Sequence, residues 1–213
     1  DRPLPADQPL PGTGKSGSFS IHEWFEYTVG RNPDFVSRVL ESTQREMRKR
    51  LDRIDSEEVD WTTWVDGAAF QDVHHWQNIN PVVPEGLMQM AMGTPTAVYH
   101  GGMVHAAVRY YDAVGQRPGL PPHVAALVDE VGDDHIHVQL VNTDIVEGKQ
   151  VVVQAGGCAE HEFTDLLVEA DGAPPVTVDG QYVKVCLGPG AHGKLRLGLK
   201  RLSHAPSYAQ PKL

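Results

Sequence analysis

Lys194-Leu195-Arg196-Leu197-Gly198-Leu199-Lys200-Arg201-Leu202 is the stretch whose reading decides the fold. Leu195, Leu197 and Leu199 fall on one face, Lys194, Arg196 and Lys200 on the other. Alternation with a period of two describes an antiparallel strand that is dry on one side and wet on the other. Working back towards residue 124, segments 124–131, 135–141, 149–155, 162–169 and 176–187 have the length and spacing of sandwich strands. Asp179-Gly180 reads as a two-residue hairpin turn, and Gly188-Pro189-Gly190 turns into the last strand.

The half before residue 117 has a different period. Asn32-Pro33-Asp34 is a helix start, with Asn32 as the N-cap, and the helix is expected to run to about Ser56. Val36, Val39, Leu40, Met47, Leu51 and Ile54 form its apolar stripe, while Glu41 with Arg45 and Glu46 with Arg50 pair on the wet side. A short buried helix over 84–92 stops at Gly93-Thr94-Pro95. Segments 96–99 and 103–111 read as two strands joined through His100-Gly101-Gly102. The expected fold is α+β, a helical N-terminal segment followed by an antiparallel β-sandwich. Its parts are an extended arm (1–32), a helical segment with a short hairpin (33–116), the sandwich (117–204) and a tail (205–213).

The 213 residues, 40% of them hydrophobic, suffice for one large core or two small ones. Eighteen basic against 28 acidic residues leave a net charge of -10, which argues against nucleic acid and anionic membrane surfaces as partners. Cys158 and Cys186 are too few for a disulfide framework or a cysteine zinc site, and two free buried thiols are expected. No apolar run is long enough to span a bilayer. No signal peptide is read, which leans the reading towards the cytoplasm. The proline-rich opening after Asp1 suggests a processed chain or a piece of a longer one.

Pro11-Gly12-Thr13-Gly14-Lys15-Ser16 resembles the end of a phosphate loop, but Pro9 replaces its first glycine and no strand feeds it, so no nucleotide binding is expected. Gly156-Gly157-Cys158 follows a strand without a helical run behind it and is discounted. Among the eleven histidines, His135 and His137 share one strand face two residues apart and are a candidate ligand pair. The spacing matches no helical zinc motif, and no metal or cofactor is assigned. The most chemically loaded stretch is 72–81. Asp72, His74, Trp76 and Asn78 are the candidate substrate-binding residues, since amides and carboxylates suit hydroxyls and an indole suits the C–H face of a sugar ring. The same residues also suit a structural loop with Trp76 as a core plug. Glu85 is either a general acid or base or a partner of the helix dipole. No catalytic residue is assigned.

The strand His135-Ile136-His137-Val138-Gln139-Leu140-Val141-Asn142-Thr143-Asp144 and the closing Leu187-Gly188-Pro189-Gly190-Ala191-His192-Gly193-Lys194-Leu195-Arg196-Leu197 carry a resemblance. Residues 124–202 resemble the small β-sandwich that ends many multidomain glycoside hydrolases. The resemblance implies that 33–111 closes a preceding helical barrel. It also implies carbohydrate as ligand, and the remainder of a longer chain or a partner subunit as the other partner. The alternative is a non-catalytic protein-interaction or carbohydrate-binding module.

Overall fold

A computed structural model describes residues 21–56, 80–95, 102–169, 172 and 174–212. The fold is α+β, with the helices N-terminal and two antiparallel sheets after them. Among the described residues the helices are α1 (Ile21–Thr28), α2 (Phe35–Asp55) and α3 (Glu85–Met92), followed by a 3-10 turn at Gly102–His105. The strands are β1 (Val108–Asp112), β2 (Arg117–Pro118), β3 (Val124–Val131), β4 (His135–Asn142), β5 (Lys149–Ala155), β6 (Glu162–Val168), β7 (Val176–Gly180), β8 (Tyr182–Leu187) and β9 (His192–Lys200). One sheet runs β2-β1-β5-β8 and the other β3-β4-β9-β6-β7. No described helix is long and apolar enough to cross a membrane.

The alternation of β9 is realised as read. Leu195, Leu197 and Leu199 are buried and face Val108, Tyr110, Val151, Val153 and Val183 of the other sheet, with Ile136, Val138, Leu140 and Phe163 beside them. Each such side chain contributes about 1.5–3 kcal/mol by leaving water. β9 lies between β4 and β6, so its dry face is the middle of the core.

Several elements differ from the sequence expectation. Residues 21–28, read with the extended arm, are helical, because Trp24 and Tyr27 lie one turn apart and reach the same apolar cluster. Asn32 is not the N-cap: the capping position is Asp34, without a side-chain bond, and the Asn32 amide bridges Glu23 and Arg38 instead. α2 buries Phe35, Val39 and Thr43, whereas Leu40, Met47 and Leu51 of the expected stripe are exposed. Residues 103–105 are a 3-10 turn, and the strand starts only at Val108. That strand, read with the helical segment, is hydrogen-bonded to β5 over Val108–Asp112 and belongs to the four-stranded sheet. β7 and β8 are not a hairpin: β7 pairs with β6 and β8 with β5, so Gly180, at φ 152°, is a corner between sheets. Cys158 is buried but Cys186 is exposed, and both are free thiols.

The helical layer is joined to the sandwich on the β3 side. The Tyr27 and Phe35 rings stack at 5.0 Å, and with Val39 and Met90 they pack on Leu127 of β3. Gly93 caps α3 in the left-handed region at φ 60°, where a Cβ would collide with Val128. The Tyr110 hydroxyl, rising from the core, donates to the Ala91 carbonyl of α3 at 2.7 Å.

Candidate functional site

Asp72, His74, Trp76 and Asn78 lie outside the described residues, as do Pro11–Ser16, Trp61 and Trp64. Of the loaded stretch, Asn80 and Pro81 are described. The Asn80 carbonyl accepts from Arg50 of α2 at 2.8 Å, and its side chain turns back to accept from the Val82 amide at 2.9 Å. That tether fixes the end of the stretch against α2, one turn before α3 begins. On α3, Glu85 Oε2 and Gln89 Oε1 are buried without a hydrogen-bond partner among the described residues, and so is Thr43 Oγ1 on α2. Glu85 and Gln89 are four residues apart and therefore share a helix face. Buried polar atoms are nearly always paired, so an acceptor without a donor asks for a ligand or water.

A second polar constellation covers the outer face of the five-stranded sheet. β4 sends His135, His137 and Gln139 outward because Ile136, Val138 and Leu140 go inward. Across the strand pair, β3 supplies Asp129 and Glu130 in succession, which regular alternation would send to opposite faces. A bulge between Val128 and Glu130 breaks the register: Val128 lies opposite Val138, yet Glu130 lies opposite His137. Both carboxylates consequently face outward. Glu130 Oε1 is 3.0 Å from His135 Nε2, and Glu130 Oε2 is 3.2 Å from His137 Nδ1. Glu169, just past β6, brings Oε1 within 3.5 Å of His137 Nδ1. Asp134 Oδ1 lies 2.8 Å from His135 Nδ1. One ligand atom from each of Glu130, His135 and His137 falls within 4.8 Å of the others.

The neighbouring cations have their own partners. Lys194 Nζ is 3.2 Å from Glu169 and 3.9 Å from Asp129, and Arg196 is 3.2 Å from Asp165. Asp134 and then Glu130 raise the pKa of His135 above the ordinary imidazole value against the effect of burial. The same contact with His135 holds the Glu130 and Asp134 carboxyls low. Period two brings His135 and His137 together. The place of Glu130 beside them depends on the bulge, for which the adjacent pair Asp129-Glu130 within an apolar run is the available signal.

A family model described as "Domain of unknown function (DUF8034)" matches residues 14–88, and the chain is similar to that family over this part. The match takes in α1, α2 and the start of α3 and ends before the sandwich. No curated protein and no solved structure matches the chain.

Proposed function

We propose that the chain is part of a carbohydrate-active enzyme of the glycoside hydrolase type. The helical segment contributes to a sugar-binding cleft, and the sandwich buttresses it. The observation that carries this reading is the pair of acceptors on α3, Glu85 Oε2 and Gln89 Oε1, that are buried without a donor among the described residues, close in sequence to the tethered Asn80. Sugar hydroxyls are donors of the kind such oxygens accept from, and the stretch ending at Asn80 holds Trp76, a side chain suited to stacking on a ring. The contacts of α3 with Val128 and Tyr110 support the buttress role, because they hold the helix carrying Glu85 against the sandwich core. Asp72, His74, Trp76 and Asn78 remain the substrate-binding candidates, with Glu85 and Gln89 added to them.

Titration calorimetry against neutral oligosaccharides tests the reading. Trp76→Ala and Glu85→Ala should each weaken binding at least about tenfold, the cost of roughly one lost stacking or charged hydrogen-bond contact. Their melting temperatures should stay within a few degrees of the parent. Unfolding of Trp76→Ala, with Glu85→Ala binding as the parent does, would make the stretch a structural loop and the module an interaction domain.

A further inference from the structure

We propose that Glu130, His135 and His137 form a binding site for one divalent transition-metal ion of the zinc type, with Glu169 as the adjoining fourth ligand. Two imidazoles and a carboxylate are a donor set that suits such ions and not magnesium or calcium, which prefer oxygen alone. The spacing agrees. Zinc–nitrogen bonds of about 2.0–2.1 Å in a tetrahedron put neighbouring ligand atoms about 3.3 Å apart. Glu130 Oε1 stands 3.0 Å from His135 Nε2 and Oε2 stands 3.2 Å from His137 Nδ1, and one ligand atom from each of the three residues lies within 4.8 Å of the others, so side-chain rotations suffice to close the set on an ion.

The surroundings are organised for the same purpose. A metal-bound imidazole characteristically gives its other N–H to a carboxylate, which fixes the ring and the tautomer. Asp134, 2.8 Å from His135 Nδ1, is placed to take that proton and leave Nε2 for the ion. Gly132 makes room for the ring, since a Cβ there would lie 2.5 Å from His135 Cε1. Arg201 holds the hairpin that carries Asp134 by donating to the Gly132 and Asp133 carbonyls, at 2.6 and 2.9 Å. Both imidazoles are largely covered, with 21% and 15% of their side-chain surface exposed, so they are presented in place, while Glu130 at 44% leaves solvent a way in. Arg196 is engaged by Asp165, and Lys194 holds Glu169 Oε2 at 3.2 Å, which leaves Glu169 Oε1, 3.5 Å from His137 Nδ1, as the oxygen that can turn to the ion. The ligands come from β3, β4 and the residue after β6, so the ion acts as a clamp across the outer face. This site is separate from the proposed sugar cleft and stands or falls without it.

The test is a titration of the full chain, stripped by chelator, with zinc(II) followed by calorimetry and cobalt(II) followed by visible absorbance. The expected result is one equivalent bound with Kd at or below about 10 μM, visible cobalt bands, and a melting temperature that rises with zinc but not with magnesium. Glu130→Gln and His137→Ala should each weaken binding at least about tenfold, and Asp134→Asn should also weaken it, by the second-ligand-layer cost of about 10–100-fold or less. His192→Ala, an imidazole on the same face outside the cluster, should bind as the parent does. Glu130→Gln preserves shape and carries the test if a histidine variant fails to fold. Zinc binding weaker than about 1 mM, or binding unchanged by Glu130→Gln and by the His135→Ala/His137→Ala double variant, overturns the site.

Discussion

Asn142 pins three pieces of backbone with one amide. Its Nδ2 donates to the Glu147 carbonyl at 2.8 Å and the Gly188 carbonyl at 2.9 Å, and its Oδ1 accepts from the Asp144 amide at 3.0 Å. The side chain thereby joins the β4–β5 connection to the turn that leads into β9, and it is buried in doing so. Asn142→Ala removes three hydrogen bonds to part-buried backbone groups that water can reach in part. At about 0.5–1.5 kcal/mol for each bond, a loss of about 2–3 kcal/mol is expected. A urea melt that shifts by less than 1 kcal/mol would mean that water substitutes for the amide. His161 makes a second prediction at this scale. Its Nδ1 accepts the Leu202 amide at 3.0 Å, which requires an unprotonated nitrogen. Burial pushes its pKa down; Glu160 opposes this and Arg201 adds to it. A depressed imidazole pKa contributes stability above the unfolded value of about 6.5, and that contribution is lost as pH falls through the folded value. The melting-temperature advantage of the parent over His161→Gln should therefore shrink between pH 7.5 and pH 5. A constant gap would show that the imidazole does not titrate against Leu202.

At the scale of elements, the β3 bulge decides what the outer face can do. Deleting Asp129 would restore regular pairing and leave Glu130 directly after Val128, still opposite His137 and outward. The deletion and Asp129→Ala both remove the carboxylate that accepts from Gln139, so the two should cost about the same. Circular dichroism and a denaturant melt of the two variants make the comparison; a deletion that costs far more would mean that the bulge itself is needed for packing. The same element shows where the sequence is readable. Strict alternation gave β4 and β9 their faces, because a one-residue slip would bury Lys194 and Arg196. Alternation cannot locate a bulge, since the inserted residue breaks the very period being counted. Asp179-Gly180 failed for a related reason: a dipeptide specifies a local reversal, but which strand the outgoing chain pairs with depends on distant residues, here Lys149–Ala155 of β5.

At the scale of the molecule, the helical segment and the sandwich share a core boundary. Val108 and Tyr110 precede the proline-rich connector yet fill the sandwich interior, and Leu127 of β3 fills the helical cluster. A fragment of residues 117–213 lacks β1, exposes the edge of β5 and should show no cooperative urea transition. A fragment of 83–213 retains β1 and α3 and should recover one. Cooperative unfolding of the shorter fragment would place the boundary at the connector after all. Arg117–Pro118 looked like a linker because proline there forms only a two-residue edge strand. The sugar-site candidates are a matter of residue chemistry alone, since Asp72, His74, Trp76 and Asn78 lie outside the described residues.

The central position of β9 also has a temporal side. β4 and β6 do not pair with each other; the β3–β4 pair and the β6–β7 pair are joined through β9, across separations of about fifty and thirty residues respectively. On the ribosome, β3–β4 and β6–β7 emerge as two ribbons with open edges, and neither can be sealed until residues 192–200 have been made. A pause in translation shortly before His192 would therefore prolong the interval in which the nascent chain is most exposed to edge-to-edge aggregation.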